Sequence, residues 1–285
     1  MPKLTLTMGD RLARFPVFVR LAVFAVTLAI VWLPLAWMTT HFVSNPNSAG
    51  IAAMALLFIE FLAWVTLWGR WLYHHPWVIR RYGLVSTRQN GLEMLQGLAL
   101  GGISLFALFG VQGMLGWLKW SSPPPHIACV ILEGVLVALG VGLAEELLFR
   151  GFILDELERD YHLTRSLWIS SLVFAILHFI RPIQEMIRTL PQFPGLVVLG
   201  LALVWAKRSH HNRLGFPIGF HAGLVWVYYV ISVGNWIHYT HHVPEWVSGI
   251  DQNPLAGIMG LLFLGGLMLV VRPSKHPHIN SSPRS

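Results

Sequence analysis

Cysteine is almost missing from this chain of 285 residues: Cys129 stands alone, so no intramolecular disulfide can brace the fold. Lying in an apolar stretch, it reads as a small core residue. Charge is equally scarce. Charged residues make up 12% of the chain, where soluble domains carry about 25%. Two protease signatures are absent as well: there is no His-Glu-x-x-His zinc helix and no Gly-x-Ser-x-Gly nucleophile elbow. Cys129 has no base beside it in sequence, so thiol chemistry finds no support either. No internal repeat, low-complexity tract or separate soluble domain is visible.

What is present is apolar. Hydrophobic residues reach 55% and include 13 Trp, a residue favoured at bilayer interfaces. The fold class expected is all-α, a polytopic membrane helix bundle of about eight spans. In order these are Leu21 to Thr40 (with Pro34 inside), Ala49 to Tyr73, Leu92 to Trp117, Ile127 to Leu154, Ser166 to Ile180, Phe193 to Ala206, Leu214 to Val233 and Pro254 to Val271. Three N-terminal spans (1–120) precede a core (121–272) and a short cytoplasmic tail (273–285). Excluding Arg150, sixteen Lys and Arg fall in the termini and even-numbered loops, against three in the others. The positive-inside rule then places both termini in the cytoplasm, with the plasma membrane as the expected location. The net charge of +7 therefore reads as loop charge facing anionic lipid, not as a nucleic-acid surface.

Against that background, Glu145, Glu146 and Arg150 stand out inside the fourth span, because ionisable groups in a membrane are costly and tend to be used. Glu146 and Arg150 have the favoured i,i+4 order for an ion pair. Glu145 is rotated about 140° from Arg150 and stays free, the arrangement of a general base in an apolar pocket. His178 shares a helix face with Phe174, and His221 sits between Gly219 and Gly223. A glutamate with two histidines can hold a catalytic water or a metal that polarises one; Glu145, His178 and His221 would be zinc ligands in the second case. Glu60 and Glu133 are expected to pair with nearby polar groups. His74, His75, His210, His211, His238, His241 and His242 read as interfacial. A transporter path through Glu60 and Glu133 is a weaker alternative, since paired broken spans are lacking.

The pattern Glu145-Glu146-x-x-x-Arg150, Phe174-x-x-x-His178 and Gly-Phe-His221-Ala-Gly resembles the CPBP family, which comprises CAAX prenyl-endopeptidases and bacterial intramembrane proteases related to bacteriocin processing and immunity. The motifs cover about 80 residues, from Glu145 to Val225. The resemblance implies an intramembrane endopeptidase acting on a membrane-associated peptide or protein, with a CAAX-protease-like core. It implies that Glu145 activates water, His178 helps hold it, His221 stabilises the oxyanion, and Glu146 with Arg150 braces the helix. Zinc is the one cofactor it leaves open. The chain departs from the family at Val225, where Asn or Asp is common four residues after the histidine; Asn235 is a candidate substitute. That departure favours the alternative of a non-catalytic immunity-type or scaffold protein. A geometric condition also follows: Glu145 and His178 meet only if the fourth helix runs past Arg150, or the fifth is tilted or starts late.

Overall fold

The computed structural model describes residues 7–273; most of the expected cytoplasmic tail, 274–285, lies outside them. The described chain is helical apart from one short ladder. A capped turn, α1 (Met8–Leu12), leads into α2 (Val17–Phe42) and α3 (Pro46–Tyr73). A single turn, α4 (Val78–Arg81), precedes α5 (Arg88–Met114), and Leu118–Trp120 forms β1. The central helix begins as α6 (Ile127–Glu146), widens into a π-helical segment (Leu147–Ile153) and tightens again as α7 (Leu154–Asp160). After it come α8 (Leu163–Leu177), α9 (Ile183–Thr189), α10 (Phe193–Ser209), α11 (Gly215–Val233), β2 (Ile237–Tyr239), α12 (Glu245–Ser248) and α13 (Ile258–Val271).

Among the described residues, six helical stretches are long and apolar enough to cross a membrane, with α6 to α7 counted as one, Ile127–Asp160, and α9 to α10 as another, Ile183–Ser209. Two of the eight expected spans fall short. The 15 residues of α8 and 14 of α13 reach only about 22 Å at roughly 1.5 Å per residue, against a hydrocarbon core of about 30 Å. Apolar side chains such as Ile30, Ile103, Leu136 and Leu262 point outward from the bundle, as lipid-facing residues do. Cys129 is exposed as well, contrary to its reading as a core residue. The all-α bundle expected from the sequence holds, with one short addition: β1 and β2 pair antiparallel with Leu118 opposite Tyr239.

The geometric condition set by the sequence is met by the first route. The fourth span does not stop near Leu154 but continues to Asp160, and α8 turns back three residues later. Glu145 lies fifteen residues before Asp160 and His178 fifteen after Leu163, so each sits about 22 Å from the same turn. The two arms are level. A buried network holds that overshooting tip: Arg20 Nε donates to Glu156 Oε2 at 2.8 Å, and Tyr73 Oη and Trp68 Nε1 donate to the same carboxylate. Asp160 accepts from the Val17 amide at 2.7 Å, Arg208 reaches Glu158, and Ser209 Oγ reaches the Val271 carbonyl. The start of α2 and the end of α13 therefore share one face with this tip.

The core is built on close helix contact. Glycines on α5 and α11 let the two backbones meet along their length: a Cβ on Gly219 would lie 1.9 Å from the Met94 carbonyl oxygen, and one on Gly97 would lie 2.2 Å from that of Phe216. This contact fixes His221, two residues beyond Gly219. Gly219→Ala should accordingly separate α5 from α11 and cost more than about 2 kcal/mol by the overpacking range. Gly110→Ala, on α5 with open space around the new methyl, should be neutral or gain up to about 1 kcal/mol. Equilibrium unfolding in detergent compares the two; equal effects would remove the backbone-contact argument.

Candidate active site

Glu146 ends α6 and Arg150 sits in the π segment. Arg150 Nη1 donates to Glu146 Oε1 at 2.8 Å, with both side chains wholly buried. The i,i+4 ion pair expected from the spacing is there. Arg150 Nη2 donates to the Gly200 carbonyl at 3.4 Å, and its guanidinium lies 4.3 Å from the Phe174 ring centroid. Widening the helix to π geometry redirects its carbonyls. The Arg150 carbonyl accepts from Lys207 Nζ at 2.6 Å. Lys207 was read only as loop charge; it is in fact buried in α10. A lysine following Trp205 and Ala206 in an apolar run was the available signal.

Glu145, on the other face, is 29% exposed and turns toward both histidines. Its Oε2 lies 3.5 Å from His178 Nε2 and 3.8 Å from His221 Nε2, and has no hydrogen-bond partner among the described residues. The back of each imidazole is tied. His178 Nδ1 faces the Phe174 carbonyl oxygen at 2.7 Å, and His221 Nδ1 faces Glu146 Oε1 at 2.9 Å. An imidazole nitrogen facing a carbonyl oxygen, or a carboxylate already paired with arginine, carries the ring proton. In the neutral rings both Nε2 atoms are therefore acceptors, and they converge with Glu145 Oε2 on one small region. Glu145, Glu146, Arg150, His178 and His221 are thus brought together from two helices, the central one and α11, and the end of α8.

As for a zinc shell of Glu145, His178 and His221, no group of three or more His, Cys, Asp or Glu side chains is assembled to hold a metal ion among the described residues. The side chains do not fit that shell as they stand. Asn235 does not serve the site. It lies two residues past the end of α11, whose twelve residues beyond His221 span about 18 Å, and its amide turns to the Val233 carbonyl. Glu60 also departs from expectation, since its Oε2 is buried without a hydrogen-bond partner among the described residues, whereas Glu133 lies beside Tyr229.

The site opens into a half-open cleft with about 660 Å³ of empty space. Phe174, Leu196, Leu199, Leu224, Val225 and Leu264 make it apolar, and His178 and His221 line it together with Gln192, Tyr228 and Asn253. At its rim Arg188 grips Asp251 with two hydrogen bonds, of 2.6 and 2.9 Å, and this guanidinium holds the Asp251 carboxyl below the ordinary carboxylate value. The clasp is therefore formed above that ordinary value and released as pH falls through the lowered one. None of Gln192, Tyr228 and Asn253 was marked by the sequence, because each stands far along the chain from the glutamates.

With the buried pair at the base of the site, Arg150→Met should leave Glu146 as an unpaired buried charge and cost about 3–5 kcal/mol. Glu146→Gln in the same chain should recover part of that loss. Thermal unfolding of the two single variants and the double variant reads the coupling; strictly additive losses would mean that the two side chains do not act as a unit.

Residues 127–227 match the family model described as type II CAAX prenyl endopeptidase Rce1-like. The match runs from the first residue of α6 to the middle of α11 and contains all five site residues. Comparison with curated proteins and with solved structures returned no match.

Proposed function

We infer that the chain, an integral membrane protein, carries at residues 127–227 a domain of the CAAX protease-type intramembrane peptidase family. We propose that it is an active endopeptidase that cleaves a membrane-associated peptide or protein with a glutamate-activated water. The observation that carries this reading is the convergence of three acceptors, Glu145 Oε2, His178 Nε2 and His221 Nε2, beside an apolar cleft that the two histidines line. A water molecule offers two protons to such a set, which points its oxygen lone pairs away from them and toward the cleft.

The steps follow from those roles. Glu145 Oε2 takes a proton from the water as its oxygen bonds to the peptide carbonyl carbon, leaving an oxyanion. Collapse of that adduct breaks the C–N bond, and the departing amine takes the proton back from Glu145. The water's second proton is accepted by one imidazole Nε2, that of His178 or His221, while the Phe174 carbonyl and Glu146 fix the Nδ1 protons of the two rings. Glu146 Oε1 is occupied by Arg150 and His221, so Glu146 is not the base. The cleft lining favours an apolar side chain beside the scissile bond. The charge distribution of the loops supports a cytoplasmic placement of the face shared by the start of α2 and the end of α13.

One observation favours the non-catalytic alternative: the cleft presents Val225 where the family commonly has a polar side chain. Glu145→Gln separates the two readings. It keeps shape and removes the base, so hydrolysis of a membrane-embedded reporter peptide in proteoliposomes should fall by about 10²–10⁴-fold. The melting temperature should be unchanged. Full turnover by this variant would sink the peptidase reading. Metal content, read on the same preparation before and after chelation, distinguishes the mechanisms: cleavage by metal-free protein supports the direct glutamate route, and zinc lost together with activity replaces it with a metal-assisted one.

A further inference from the structure

Stabilising an oxyanion requires hydrogen-bond donors. The groups already placed at the reacting end of the cleft are acceptors in their neutral forms, and the side chain four residues after His221 is the isopropyl of Val225. A donor must come from elsewhere in the lining. The lining offers Gln192, Tyr228 and Asn253. Tyr228 Oη donates to the Asp251 carbonyl at 3.4 Å, so its proton is directed at the rim. Gln192 ends a short 3₁₀ turn, Leu190–Gln192, and its side chain makes no hydrogen bond among the described residues.

Asn253 differs from both. Its Oδ1 accepts from the Leu255 amide at 3.0 Å, which fixes the plane of the carboxamide and commits the oxygen to the backbone. The Nδ2 group has no partner among the described residues. The segment presenting it is held on both sides. Asp251 is gripped by Arg188, and Ala256 is hydrogen-bonded back to the Asn253 carbonyl. Resting on the peptidase reading above, we infer that Asn253 is a further catalytic residue, whose side-chain N–H donates to the carbonyl oxygen of the scissile peptide as it becomes an oxyanion. The donor thus reaches the cleft from the segment before α13, replacing one on α11.

Asn253→Ser tests this, because serine also serves as a cap for Leu255 and is too short to offer the same N–H to the cleft. The probe is a peptidyl phosphinate, a stable tetrahedral anion, with an apolar side chain on each side of phosphorus. Calorimetry on the full chain in detergent should show its Kd weakened by about 10²-fold in Asn253→Ser, the lower end of the effect of losing one oxyanion donor. The corresponding uncleaved amide, held by Glu145→Gln protein, should bind alike with Asn or Ser at 253. Turnover should follow, with kcat reduced and KM nearly constant, and Val225→Asn added to Asn253→Ser should restore part of kcat. Unchanged phosphinate affinity, or no phosphinate binding by the unaltered protein, overturns the assignment. Loss of turnover in Glu145→Gln beside normal turnover in Asn253→Ser would remove this donor alone; turnover in Glu145→Gln would remove the peptidase reading beneath it.

Discussion

The site depends on one buried ion pair, Glu146 with Arg150. Burying two charges is expensive, and an apolar pair of similar volume is often as stable or more so. This pair is not even fully satisfied: Glu146 Oε2 and Arg150 Nε lack hydrogen-bond partners among the described residues. Stability alone is therefore a poor account of it. Its effect on its neighbours is a better one. Glu146 Oε1 orders the His221 ring and sets which nitrogen carries the proton, while Arg150 anchors on Gly200 and lies over Phe174, whose carbonyl orders His178. One pair thus fixes both imidazoles, from opposite sides, with Glu145 left over to do chemistry.

Position along the membrane normal is set elsewhere. Glu145 and His178 are level only because the central helix and α8 extend equally from a common turn. That turn is held by Arg20, from the first span, reaching Glu156 and Asp160. Ten residues separate Glu146 from Glu156, about 15 Å of helix. The two buried arginines act at the two ends of that interval, one ordering the side chains of the site and the other fixing the depth of the elements that carry them. The N-terminal spans are in this sense part of the site's support, although they contribute no group to the chemistry.

Much of this was legible in the sequence for a simple reason. A charge in an apolar run is conspicuous, and the i,i+4 spacing that pairs Glu146 with Arg150 also frees Glu145. Spacing argued for the overshoot too, since His178 and Glu145 could not meet without it or a tilted or late-starting fifth helix. What stayed hidden depends on contacts between distant segments. Arg20 and Lys207 look like interfacial positive charge until the fold buries them against Glu156 and the Arg150 carbonyl. The strands β1 and β2 are three residues each, too short to show alternation. Cys129 looked internal because an apolar helix in lipid shows the same composition on its inner and outer faces, so hydrophobicity stops reporting burial.

Val225 illustrates the limit of reading a site as a linear motif. A position in a helix offers its neighbour four residues on as a companion on the same face, and a motif records that habit. The chemistry, however, needs a donor at a point in space, without regard to the segment that supplies it. In this bundle α13 is short, and the chain before it folds over the cleft as two 3₁₀ turns, Ile250–Gln252 and Pro254–Ala256, with Asn253 between them. A short final helix thereby leaves room for an irregular segment at the depth of the reacting groups. Backbone of that kind is tolerated inside a membrane only where protein or a cavity satisfies it, which places the segment beside the cleft and not against lipid.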